Sequence, residues 1–204
     1  MNKAATKKYV IEELENKNVY KFREPVAELL SLVSGVNKRL ISETKIYPRS
    51  QFRYIPFYNS LRGGGAITLG NSFWHSITFT ENFFSNDKQT FKAVAYGDNL
   101  SVWLRLSAHE VGHITHTKRF RSFIWYLIVF AYQYIKHGHD DAPLEIEAEL
   151  GRKTFIQFNN YIKNNFQINL EYILTSQESD IVKIKLIKKY WLEYSLFNSA
   201  QLSA

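Results

Sequence analysis

Residues 106–116 read Leu106-Ser107-Ala108-His109-Glu110-Val111-Gly112-His113-Ile114-Thr115-His116. His109, Glu110 and His113 make an H-E-x-x-H pattern. In a helix, residues four apart share a face one turn apart, so both imidazoles can reach a single metal ion. Glu110, beside the first His, points toward the open side of that metal, where a carboxylate can take a proton from water. The uncharged flank of Leu106, Ser107, Ala108, Val111 and Ile114 suits a buried helix. Gly112 in a helix interior costs about 1 kcal/mol relative to Ala, so its presence predicts another backbone passing close by. The pattern predicts a helix over 100–117 with Asn99 as its N-cap.

Two histidines do not complete a catalytic centre, which ordinarily has three protein ligands and one open position. An HExxHxxGxxH extension is absent, because His116 and Arg119 stand in its later positions. His116 shares the motif's face, but helical rise places it about 10 Å from His109, out of reach of the same ion unless the helix breaks. Downstream, Leu144-Glu145-Ile146-Glu147-Ala148-Glu149 offers a better donor. On a second helix packed across the first, Glu145 would be the third ligand. The small Ala148 would permit close approach, and Glu149 would hydrogen-bond a ligating imidazole as an outer carboxylate. Glu147 reads as a solvated first-turn acid. His137, His139, Asp140 and Asp141 stand in reserve as alternative ligands.

Composition narrows the chemistry further. The chain has 204 residues, 45% of them hydrophobic and 16% aromatic, enough for a sizeable core and against wholesale disorder. It has no cysteine, which removes disulfide scaffolds, thiol nucleophiles and Cys-ligated metals, so a metal must rest on carboxylates and the 6 His. The net charge of +7 is spread as short pairs such as Lys7-Lys8, Lys38-Arg39 and Lys188-Lys189, so no nucleic-acid partner is expected. The N-terminus lacks an apolar stretch before Glu12, so it does not read as a secretory signal. The expected location is the cytoplasm, or outside the cell by a route that uses no N-terminal signal peptide. The most apolar run, 123–135, is too short to span a bilayer and reads as a buried helix.

The remaining elements follow from periodicity. Residues 4–43 read as two helical pieces, the second with Pro25 in its first turn and Leu29, Leu30, Leu32, Val33, Val36 and Leu40 as its apolar stripe. Residues 47–58, with Pro48 and Pro56, read as extended or loop. Ala66 to Leu69 and Phe73 to Phe79 read as strands. Helices are expected over 144–159, with Asp140 or Asp141 near its cap, and over 179–197. Together these give an α+β, mostly helical domain with a small sheet. Its organisation is a helical extension at 1–45, a core at 46–160 and a helical segment at 161–204, forming one body.

The HEVGH and EIEAE pair resembles the gluzincin group of zinc metallopeptidases. The phrases AITLGN, LSAHEVGHI and HDDAPLEIEAELGR are similar to segments of metallopeptidase-like domains in bacterial polymorphic (Rhs-type) toxins and related bacterial proteins. The resemblance covers about 64–155. It implies one zinc ion on His109, His113 and Glu145, with Glu110 as general base and a peptide or protein as substrate. It also implies a toxin or effector role and a zincin-like fold: a twisted sheet, an active-site helix and a following Glu helix. In zincins an edge strand above the metal pairs with extended substrate. Here that is Ile67, Thr68, Leu69 and Gly70, or alternatively 76–80. Such a hydrolase gains from a donor to the developing oxyanion, for which Tyr132, Tyr134 and His139 are candidates. The alternative is a non-catalytic zincin-like binding module.

Overall fold

The computed structural model describes residues 3–14, 19–47, 65–79, 99–138 and 140–202. A helix α1 (Lys3–Val10) leads into β1 (Ile11–Glu13) and β2 (Tyr20–Phe22). Then follow α2 (Glu24–Ser34), α3 (Lys38–Glu43), β3 (Lys45–Tyr47), β4 (Ala66–Gly70) and β5 (His75–Phe79). The rest is helical: α4 (Asn99–Phe120), α5 (Phe123–His137), α6 (Pro143–Phe166), α7 (Leu170–Thr175) and α8 (Asp180–Leu202). The architecture is α+β and mostly helical, with one small sheet.

The strands order as β1-β2-β3-β5-β4. All neighbours are antiparallel except β3 and β5, which are parallel with Ile46 opposite Ile77. β1 and β2 come from the stretch read as purely helical, and β3 lies just beyond it. Tyr20-Lys21-Phe22 shows why: its two rings alternate with a lysine and are buried while Lys21 is not, a period-2 pattern too short to stand out between helices. The apolar stripe that begins at Leu29 is also interrupted. Gly35 takes a left-handed φ of 70° and closes α2, and the Asn37 side chain then accepts from the Arg39 N–H to start α3.

The long helix α4 is the centre of the packing. On one side Trp103 sits between Phe22 of β2 and Phe79 of β5, with ring centroids 5.7 and 5.5 Å away, all three buried. On the other side α4 crosses α6 at very close range. A Cβ placed on Gly112 would lie 2.8 Å from the Ala148 Cα, and one on Gly151 would lie 2.5 Å from the Ala108 carbonyl oxygen. The close approach expected at Gly112 is therefore present, and Ala148 is the residue that makes it. The far end of α6 is tied to α8 by aromatic contacts, chiefly Phe158 against Trp191 and Tyr194.

The N-cap of α6 is Ala142, directly after Asp140 and Asp141, with Pro143 following and no side-chain hydrogen bond from the cap residue itself. The cap is supplied from outside: Gln133 Oε1 on α5 accepts the Leu144 N–H at 3.1 Å. One expectation needs correction: α5 is not a buried helix. Only Tyr126 along it is buried, whereas Ile135 is 84% exposed. Its sequence is apolar on both faces, and hydropathy alone does not distinguish a core helix from one lying on the surface. No described helix is long and apolar enough to cross a membrane.

The crossing yields a direct test. Gly112→Ala exchanges a poor helix former for the best one, a gain of about 1 kcal/mol. It also forces a methyl group into backbone, an overpacking cost of about 1–3 kcal/mol. The variant is expected to be net destabilised in urea unfolding; a higher midpoint than wild type would contradict the close crossing.

Candidate metal centre

The crossing brings three donors together. His109 and His113 project from α4 and Glu145 from the first turn of α6. One ligand atom of each lies within 4.8 Å of the others, the one such group found among the described residues. The two histidine Nε2 atoms are 3.2 Å apart. Glu145 Oε2 is 3.1 Å from His109 Nε2, and Glu145 Oε1 is 3.6 Å from His113 Nε2. An ion held tetrahedrally by bonds of about 2.0–2.2 Å needs ligand atoms roughly 3.3–3.6 Å apart. The donors' spacing fits that requirement, and two imidazoles with a carboxylate are a chemically competent set.

Each imidazole has an outer partner. His109 Nδ1 faces Glu149 Oε2 at 3.3 Å, and Arg152 in turn holds Glu149 at 2.7 Å. His113 Nδ1 faces His116 Nδ1 at 3.2 Å, and His116 Nε2 lies 3.0 Å from Glu147 Oε2. Glu147 is also bound by Arg119 at 2.7 Å. Burial, together with the nearby His113, pushes the His116 pKa down to about 4, so its imidazole is neutral and carries one N–H. That hydrogen belongs on Nε2, toward the carboxylate, so Nδ1 accepts from His113 Nδ1–H. The lone pair of His113 Nε2 is thereby left for the cluster. Glu147 is accordingly more than a solvated first-turn acid, and His116 acts on His113 from behind rather than reaching the ion's position. The signal for this was the i, i+3 spacing of His113 and His116, which puts them in contact on one helix face.

Glu110 is buried beside the cluster. The Thr68 hydroxyl of β4 has one proton, and two acceptors of Glu110 lie within reach of it. The Oε2 atom is 2.7 Å away and the carbonyl oxygen 2.9 Å away. Thr68 thus touches the carboxylate directly, while Ile67 and Leu69 alternate with it and are half-buried. Gly70 closes the hairpin, where a Cβ would lie 2.5 Å from the Trp74 carbonyl oxygen. β4 is the terminal strand of the sheet among the described residues. β5 lies between β3 and β4, so the alternative pairing strand at 76–80 is an inner one; Thr80 lies outside the described residues.

Of the proposed oxyanion donors, Tyr132 and Tyr134 lie on the outer face of α5, 60% and 47% exposed. His139 lies outside the described residues. The tyrosine of α5 turned inward is Tyr126, which the sequence reading passed over. Burial raises its pKa first, and the negative charges of Glu110 and Glu145 raise it further, so its hydroxyl stays protonated. Phe130, one turn on, packs edge-on to His113 with centroids 6.4 Å apart. Of the reserve ligands, His137, Asp140 and Asp141 are exposed. No protein-family model, curated protein or solved structure matches the chain, so the resemblance to gluzincins rests on the motif residues alone.

The charges at the centre predict a pH signature. Burial opposes a proton on His109, but the Glu145 and Glu149 carboxylates beside it outweigh that and raise the pKa to about 9 without metal. Contact with the two imidazoles outweighs the effect of burial on Glu145 and holds its carboxyl well below the usual range. An incoming metal must displace the His109 proton, so apparent affinity is expected to rise with pH up to about 9. Calorimetry at neutral pH in buffers of different ionisation heat should read about one proton released. In the metal-free chain this raised value stabilises the fold below the ordinary 6.5, and the contribution is lost as pH rises through about 9. Buffer-independent heats would contradict the assignment.

Proposed function

We propose that this chain is a zinc-dependent peptidase, with His109, His113 and Glu145 as the metal ligands and Glu110 as the general base. The observation that carries this reading is the Thr68–Glu110 contact at 2.7 Å. It sets a buried carboxylate between a terminal strand and a His–His–Glu cluster, although that carboxylate is not itself one of the cluster's three donors. A metal that only supported the fold would have no use for it.

Zinc suits this donor set, and when bound it lowers the pKa of a water to about 7 and polarises a carbonyl. The chain's own residues account for the rest. Glu110 accepts a proton from the attacking water as the new C–O bond forms. It passes that proton to the departing nitrogen as the C–N bond breaks, so it ends the cycle as it began. Thr68 holds the carboxylate in position for both transfers. Tyr126, kept protonated, is the candidate to donate a hydrogen bond to the oxygen that gains charge. The outer edge of β4 is the candidate binding surface for an extended peptide, whose backbone would add as a further strand. A peptide or protein substrate follows, and the bacterial toxin or effector role belongs to the same proposal through the motif resemblance.

Three variants test it. Glu110→Gln is expected to retain zinc and lose peptide hydrolysis by about three orders of magnitude or more. His113→Ala is expected to lose both zinc and activity. Thr68→Val keeps the strand's shape but removes the hydroxyl; we expect retained zinc and a fall in kcat of about tenfold or more. Wild-type cleavage by the Gln variant, with zinc bound, would remove Glu110 from the mechanism.

A further inference from the structure

The outer face of α5 has no partner within the described residues and is apolar. At 100° per residue, Ile124, Trp125, Leu127, Ile128, Tyr132 and Ile135 fall within about half the circumference, and all six are exposed. The face runs about 22 Å, the length of a 15-residue helix. It continues onto the β4–β5 turn, where Trp74 packs on Phe123 with ring centroids 6.1 Å apart and Phe73 is 93% exposed. Isolated exposed apolar side chains are ordinary, whereas a contiguous apolar stripe of this kind marks an interaction site.

Charge identifies the occupant. From Val111 to His139 the chain has four cations, Lys118, Arg119, Arg121 and Lys136, and no carboxylate, with Asp140 and Asp141 following. Three precede α5 and one lies in its last turn, all of them exposed. Arg119 is engaged with Glu147; the others stand at the two ends of the apolar stripe. A second copy laid parallel on this face would set Lys118 and Arg121 against themselves. An anionic surface would neutralise Lys118, Arg121 and Lys136. Tryptophan and tyrosine flank the aliphatic centre, the arrangement suited to a membrane interface. We propose that α5 docks the protein on the surface of an anionic lipid bilayer. It would lie in the plane of the interface, with Ile124, Ile128 and Ile135 toward the acyl chains. The inner face of the same helix, through Phe130 and Gln133, packs on the metal centre, so docking would hold that centre close to the bilayer.

The test uses the full chain sedimented with vesicles of phosphatidylcholine alone and of phosphatidylcholine with about one-third phosphatidylglycerol. Binding is expected to the mixed vesicles, to be about tenfold or more weaker on phosphatidylcholine alone, and to fall as salt is raised. Ile128→Asp and Ile135→Asp sit on the exposed face and should each lower binding about tenfold or more with unchanged circular dichroism. Ile181→Asp, on the exposed surface of α8, should bind as wild type does. The proposal is overturned by any of three results: no binding to the mixed vesicles, undiminished binding of both α5 variants, or a wild-type dimer in light scattering that Ile128→Asp dissociates. None of these readouts involves the metal, so they stand or fall apart from the peptidase reading.

Discussion

Everything at the centre depends on how closely α4 and α6 approach. Ala108 and Gly112 lie four apart on one helix, and Ala148 and Gly151 three apart on the other, so each pair forms a seam with almost no side-chain volume. The seam runs beside the ligands: His109 and His113 follow Ala108 and Gly112 by one residue, and Glu145 precedes Ala148 by one turn. A backbone contact of this kind fixes donor spacing more tightly than side-chain packing would, because neither helix can adjust by changing a rotamer. The 3.1–3.6 Å separations between ligand atoms follow from that contact. The same geometry leaves Gly112 and Gly151 no room for even a methyl group.

Holding three donors this close in a buried site has an electrostatic consequence. Burial penalises charge on His109 and on Glu145, yet each favours the charged form of the other, and their pKa values move apart. The metal-free cluster is therefore held by an ion pair that a metal would replace. The outer partners serve either state. Glu149 backs His109, whereas His113 is backed through neutral His116 by Glu147, and each carboxylate is in turn bound by an arginine. Charge is thus balanced outward in steps from a buried donor to an exposed guanidinium, which leaves none of Glu145, Glu147 and Glu149 uncompensated.

What could be read in the sequence divides along physical lines. HExxH, the Gly112–Ala148 approach and the grouping of Glu145 with the two histidines were legible because helical spacing turns residue numbers into positions in space. The strands Ile11–Glu13 and Tyr20–Phe22 were not, because three residues carry too little periodicity to be told from the helices around them. The inward role of Tyr126 was hidden for a different reason. α5 is apolar on both faces, so its sequence does not reveal which face meets the protein, and Tyr132 and Tyr134 looked equally placed. The His113–His116 contact lay within reach, since i, i+3 neighbours touch. It was passed over because His116 was weighed only as a ligand and not as the partner of one.

α5 also joins two parts of the molecule that the motif alone would leave unconnected. Its inner face supplies Gln133 to the first turn of α6, where Glu145 sits, and Phe130 to the edge of His113. Its outer face is the apolar stripe. A helix of one hand and pitch has one orientation, so the contacts that seat Tyr126, Phe130 and Gln133 inward oblige Ile124, Ile128 and Ile135 to face out. The stripe is therefore not free to drift relative to the metal centre, and any surface that covers the stripe is held at a fixed distance from the centre. The sequence between the second histidine and the third ligand thus does more than bridge them: it caps the ligand helix, lines the centre and presents the largest apolar surface of α5 beside it.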